Sequence, residues 1–219
     1  MLVARVRRIE PSVRTPTVHL ITDRRLVPDL GAAVATALAR VPPGSVAVHL
    51  REKDLGGRDL LALAQALRAV CDAARQRLLI NDRLDVALAA GADGVHLPSA
   101  GVPPAEARRL LGPVRLVGIS CHGEEDVRRA RAGGADFATF GPLFATPSKA
   151  AYGPPLGLAV LARAARLGLP LIALGGVDLA GVEAARAQGA SGVAAIRAWL
   201  GAPDPAAAVE ALWRAFRGS

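Results

Sequence analysis

Short apolar, β-branched runs alternate along the chain with Ala-, Leu- and Arg-rich stretches whose apolar residues recur at helical spacing. The runs read as strands: VHLIT (18–22), SVAVHL (45–50), RLLI (77–80), GVHL (94–97), RLVGIS (115–120), FATFG (137–141), LPLIAL (169–174) and GVAAI (192–196). Helical pattern fills the intervals 29–40, 58–75, 83–90, 103–111, 124–132, 156–167, 179–188 and 205–217. Eight strands, each followed by a helix, predict a parallel sheet wrapped by helices, an α/β architecture. The strand count, and the lack of a GxGxxG at the first strand-to-helix turn, select a single closed (β/α)₈ TIM barrel over an open doubly wound sheet. AAGADGVHL, RAGGADFATFG and AQGASGVAAI repeat one phrase: a helix ending in Gly, a small turn, then a strand. Gly suits the left-handed helix C-cap there, which assigns these loops to the stability face of the barrel. The barrel is expected over 18–219. Residues 1–17, with two prolines and four arginines, read as an N-terminal extension, a loose segment or an extra helix covering the barrel bottom.

Composition refines this picture. At 219 residues and 52% hydrophobic the chain supports one well-buried core, and at 3% aromatic that core is aliphatic. No run of about 18 apolar residues suggests a membrane span, and the N-terminal stretch lacks the apolar region of a secretory signal. Cys71 and Cys121 lack metal-ligand spacing and read as free thiols of a cytoplasmic protein. The net charge of +8 comes from scattered arginines with few aromatic residues among them. That argues for solvated helix faces and against nucleic acid, while favouring small anions. A homo-oligomer is compatible with the chain. Against this arginine bias the chain keeps two lysines, Lys53 and Lys149, and a single asparagine, Asn81.

In a (β/α)₈ barrel the reacting groups come from the C-terminal ends of several strands. Those ends carry Thr22-Asp23, Arg51-Glu52-Lys53, Asn81-Asp82, His96, Ser120-Cys121-His122, the loop Thr146-Pro147-Ser148-Lys149, Gly175-Gly176 and Ala195-Ile196-Arg197. Cations, amides and hydroxyls in that number suit a polyanion, with Arg offering a planar fork and Lys a point charge. Asp82 beside Asn81 forms a hard-oxygen half-site for Mg²⁺ that phosphate oxygens and water would complete. Asp82 also has a plainer reading, as the cap of the helix starting at Arg83. Gly175-Gly176 and the backbone at Ala195-Ile196 lie where barrels bind phosphate through main-chain amides. His49 and His96 read as satisfied core histidines, and His19 is left without a role.

The motifs HLREKD (49–54), INDR (80–83), GADGVHL (91–97), GISCH (118–122), FGPLFATPSK (140–149), GPPLGL (153–158), ALGGV (173–177) and GVAAI (192–196) occur in an order that resembles the thiamine phosphate synthase/TenI family. The resemblance implies an enzyme of thiamine biosynthesis, a transferase joining hydroxymethylpyrimidine diphosphate to thiazole phosphate with release of pyrophosphate. It places Arg51, Lys53, Asn81, Thr146 and Ser148 on the diphosphate and pyrimidine, the last two in a loop that closes over the substrates. It places Gly175, Gly176, Ala195 and Ile196 on the thiazole phosphate and Mg²⁺ on Asp82. Lys149, Ser120 and His122 become the catalytic candidates.

One loop departs from the synthase pattern. HLPSAGVPP (96–104) has no carboxylate before Glu106, where synthases carry a second acidic metal ligand. Its LPS resembles TenI, a thiazole tautomerase in which His122 would be the acid/base group and no metal would be needed. The retained Lys53, Asn81, Asp82 and Lys149 favour the synthase. Tautomerase and a non-catalytic thiazole-phosphate-binding homologue stand as the alternatives.

Overall fold

The computed structural model describes residues 15–145 and 154–218. Eight parallel strands form a closed barrel in sequence order, with β1 (Val18–Ile21) bonded to both β2 (Val46–Leu50) and β8 (Gly192–Ala195). Between them run β3 (Arg77–Asn81), β4 (Gly94–Leu97), β5 (Leu116–Cys121), β6 (Phe137–Phe140) and β7 (Leu171–Leu174). The helices are α1 (Leu30–Ala37), α2 (Gly57–Ala73), α3 (Leu84–Ala89), α4 (Pro104–Leu111), α5 (Glu124–Ala132), α6 (Leu158–Ala165), α7 (Leu179–Ala187), α8 (Arg197–Leu200) and α9 (Pro205–Arg217). The TIM barrel expected from the pattern is the fold observed. The expected extension falls mainly on residues 1–14, outside the described residues.

Alternation along each strand divides the hydrophobic residues between two cores. The outward rows, among them Leu20, Val48, Ile80, Val95, Ala138, Ala173 and Val193, pack against the helices. The inward rows, among them Ala47, Leu79, Leu116, Phe137, Ile172 and Ala194, fill the barrel. With so few aromatic rings, Phe137 does much of the filling, and a Cβ on Gly118 would lie 2.1 Å from its ring. Helix starts are set by Asp29, Asp178 and Asp204, whose carboxylates accept amide hydrogens of the first turns. The single-turn α8 and a 3₁₀ turn at Arg24–Leu26 were not separated in the sequence reading. Elements of three or four residues are too short to show a period.

The repeated glycine phrases sit where expected, Gly91, Gly134 and Gly189 each having a positive φ. The residue two positions after Gly91 and Gly134 adds a device of its own. Asp93 accepts the Leu78 amide at 2.8 Å and pairs with Arg68 of α2 and with Arg77. Asp136 accepts the Val117 amide at 2.7 Å and pairs with Arg108 of α4 at 2.6 Å. Each carboxylate thereby ties a strand start to the preceding helix. Both Asp93 and Arg68 are 14% exposed, so removing the acid leaves a largely desolvated guanidinium and an unpaired strand amide. Asp93→Ala is expected to cost about 3 kcal/mol, lowering the melting temperature by roughly 6–12 °C for a chain of this size. A thermal melt checks this against Arg109→Ala, which removes an exposed pair with Glu106 and should shift the midpoint by about 2 °C or less.

Candidate active site at the strand ends

The C-terminal ends of the strands bring those sequence-selected residues that are described to one mouth. Asn81 is the last residue of β3 and follows Leu79 on the inward row. Ser120 follows Gly118 on the inward row of β5 and pairs in register with Thr139. Ile196 follows Ala194 on β8 and packs against the interior. Ala195 belongs to the outward row, so only its backbone can face the mouth. Thr146, Ser148 and Lys149 lie outside the described residues. The segment's flanks are pinned at the mouth: Phe144 N–H donates to the Gly175 carbonyl at 3.0 Å, and Leu156 N–H to the Pro142 carbonyl at 2.8 Å.

Gly175 and Gly176 are both left-handed, at φ 96° and 66°. A Cβ on Gly176 would come within 2.8 Å of the Ala145 carbonyl and 2.9 Å of Phe144 Cβ. Two successive positive φ values need glycine, and the close approach leaves the turn no other residue. Across the mouth, Ile196 caps α8, whose Trp199 is fully buried and donates its indole N–H to the Ile21 carbonyl at 3.3 Å.

Asp82 does not cap α3. Its N-cap is Arg83, no side chain caps the helix, and Asp82 itself sits at φ 67°. The turn is held by the Asp82 amide donating to the His96 carbonyl at 2.9 Å and the Arg83 amide donating to the Asn81 carbonyl at 2.8 Å. This leaves the carboxylate exposed, with no hydrogen bond or ion pair among the described residues. Its acidic neighbours are engaged. Asp23 bonds Arg25, Glu52 bonds Thr22, Asp54 bonds Arg24, Asp85 bonds Arg83, and Asp126 accepts the His122 amide. Arg51 and Lys53, half-buried and exposed respectively, likewise have no side-chain partner among the described residues.

The 98–103 loop supplies no acid. Glu106 is in the first turn of α4 and pairs with Arg109 at 2.6 Å. Among the described residues no three His, Cys, Asp or Glu side chains form a metal-holding group. Asp82, the one free carboxylate at the mouth among the described residues, suits a hard cation that draws its remaining ligands from phosphate oxygens and water. His122 is exposed. Its Nδ1 lies 2.7 Å from the Gly141 carbonyl, and that contact assigns the ring proton to Nδ1, leaving Nε2 without a partner among the described residues.

Beneath the mouth lies a feature that sequence reasoning caught only in part. His19, His49 and His96 are 0%, 1% and 6% exposed and pack edge-on or tilted against one another in the barrel interior, beside Phe137, on which only His96 stacks. His19 Nε2 donates to the Pro16 carbonyl at 2.9 Å, so its Nδ1 must accept from His49 Nε2 at 2.7 Å. His96 Nε2 meets Thr139 Oγ1 at 3.0 Å. Burial drives His19 down to about 3 and His96 to about 4, with Arg51 depressing His96 further. Burial, with the neighbouring rings, also holds His49 well below the usual value. All three are neutral at pH 7, as expected of core histidines. Cys71 and Cys121 are buried free thiols, each pushed up to about 12 by burial. No helix among the described residues is long and apolar enough to cross a membrane.

Comparison with known proteins places the chain in a family. Residues 18–199 match the family of thiamine monophosphate synthases, TMP-TENI. A Geobacter sulfurreducens relative is 52% identical over 90% of this chain and 92% of its own. The thiamine-phosphate synthase of a Roseiflexus species is 44% identical over 89% of this chain and 83% of its own. The solved structure of thiamine phosphate pyrophosphorylase from Pyrococcus furiosus superposes with a TM-score of 0.83 at 28% identity, covering 93% of this chain and 96% of that one. With most of its length matched in both sequence and fold, this chain belongs to the thiamine monophosphate synthase/TenI family.

Proposed function

We propose that this chain is a thiamine-phosphate synthase. It transfers the hydroxymethylpyrimidine group from its diphosphate to thiazole phosphate and releases pyrophosphate. The observation that carries the reading is the set of unpartnered charges at the mouth. Arg51, Lys53 and Asp82 are left without protein partners among the described residues, while the acids around them are bonded.

The carbon–oxygen bond to the diphosphate breaks with much of the positive charge on the pyrimidine methylene, and the ring of the thiazole phosphate takes that carbon. The demanding task is to hold the negative charge gathering on the leaving pyrophosphate. Arg51 and Lys53 bind its oxygens by charge, and Asn81 donates an amide hydrogen from the inward row. Asp82 would hold Mg²⁺, which when bound neutralises diphosphate charge and orients the leaving group. The amides around Gly176 and at Ile196 take the thiazole phosphate, setting the acceptor ring against the pyrimidine. Ser120 lines the interior between the two halves. Lys149, Thr146 and Ser148 complete the diphosphate side from the segment outside the described residues. His122 anchors the β5 loop to Gly141 and is not required to move a proton.

Purified chain supplied with both substrates and Mg²⁺ is expected to release pyrophosphate, and excess EDTA should stop the release. No turnover at saturating Mg²⁺ would overturn the assignment. The tautomerase alternative has less support, since relatives 42–44% identical over 89% of the chain carry the synthase name.

A further inference from the structure

The R-E-K-D run at 51–54 alternates cation and anion, and left to themselves these neighbours would neutralise one another. The fold separates them. Glu52 is 5% exposed and Thr22 fully buried. The Thr22 hydroxyl donates to Glu52 Oε1 at 2.6 Å and accepts the Arg51 amide at 3.0 Å. The Arg24 amide donates to both oxygens of the same carboxylate at 3.1 Å, and its guanidinium reaches Asp54 at 2.7 Å. Both acids of the run are therefore drawn to the 22–24 turn at the end of β1. Its two cations are left over the mouth with no partner among the described residues.

We propose that Thr22, Arg24 and Glu52 form a positioning lock for the diphosphate clamp: they fix the backbone at Arg51 and sequester Glu52 and Asp54, keeping Arg51 and Lys53 free for substrate. This rests on the synthase reading and goes beyond it by giving a role to residues that touch neither substrate. The lock works by hydrogen bonds inside a buried turn, so a hydroxyl must sit at residue 22. Shape alone does not suffice. The other half of the mouth is tied to the same strand end by Trp199, through the Ile21 carbonyl rather than through Thr22. Loss of the lock should therefore be felt on one substrate only.

The test compares Thr22→Val, which keeps the shape, with Thr22→Ser, which keeps the hydroxyl. Thr22→Val is expected to raise KM for the diphosphate about tenfold while KM for thiazole phosphate moves about twofold or less, and Thr22→Ser should restore both. Unchanged kinetics in Thr22→Val would overturn the lock. So would equal rises in both KM values, or a folded Thr22→Ser that behaves like Thr22→Val. Should Thr22→Val not fold, Arg24→Gln carries the same test, with a rise of a few-fold, about threefold, expected in the diphosphate KM alone and no rise counting against the lock. If wild-type protein shows no turnover, the synthase reading fails. Calorimetric titration with inorganic pyrophosphate then tests the lock by itself: weaker binding to Thr22→Val than to Thr22→Ser upholds it, and equal binding overturns it.

Discussion

Asp82→Ala is expected to lower kcat/KM for the diphosphate by about 10³-fold with little loss of stability. The carboxylate is exposed and bonds nothing among the described residues, so its removal breaks no interaction that holds the fold. Its backbone supports the same conclusion. A non-glycine residue at φ 67° carries a steric cost of roughly 1–2 kcal/mol that glycine does not. Strain retained at a strand end without a capping bond in return is what a residue kept for function would show. Asp82→Gly sharpens the test, because it should be as inactive as Asp82→Ala yet melt at the wild-type temperature or slightly above it. Asp82→Asn, which tolerates the left-handed backbone and keeps the shape, should also be inactive because it cannot supply the charge. Retention of activity within about threefold in Asp82→Ala would reject the metal-holding role. Activity lost together with a large drop in melting temperature would make Asp82 a structural residue.

The barrel was legible because every strand but β6, whose helix-facing row is Ala138 and Phe140, carries Val, Leu or Ile on that row, and each long helix shows its own period. That signal is local. The lock at Thr22 and Glu52, the His19–His49 contact and the Gln76–Val46 bond each join residues thirty positions apart. They exist only because the register sets Val18 beside Val46 and Ala47 beside Arg77, and no local pattern encodes register. His19 had no role in the sequence reading for that reason. Asp82 shows the opposite limit. Its place after a strand and before a helix suits a cap, and only the left-handed φ removes it from capping geometry. The absence of an acid from the 98–103 loop pointed toward a tautomerase, whereas relatives 42–44% identical over 89% of the chain carry the synthase name. Asp82, without a partner among the described residues, is the carboxylate through which any metal dependence should be measured.

Acid should unfold this protein earlier than its carboxylates alone would dictate, because three neutral histidines are sealed in the barrel. An unfolded histidine titrates near 6.5, whereas His19 and His96 are driven to about 3 and about 4, and His49 well below the usual value. Between those limits the unfolded state binds more protons than the native state, so stability rises with pH. The contribution is fully present above about pH 6.5 and is lost progressively as pH falls toward the native values. Each histidine adds a slope of up to about 1.4 kcal/mol per pH unit. Three together approach 4 kcal/mol per unit near pH 5, a large part of an ordinary folding free energy of about 5–15 kcal/mol. Asp23, Asp85 and Asp204 do not confuse the measurement. Their bonds to Arg25, Arg83 and the Ala207 amide lower them, so their contribution disappears at more acid pH. Geometry makes the penalty hard to relieve, because a proton on His19 Nδ1 would face the N–H of His49, while the only other ring nitrogen already serves Pro16. Urea unfolding at pH 7, 6 and 5 should show stability falling by more than two protons' worth between pH 6 and 5. His96→Gln, whose amide can still reach Thr139, should reduce that slope by about one proton. A slope below one proton in the wild-type protein would mean that water or a rearranged barrel lets these rings charge in the native state.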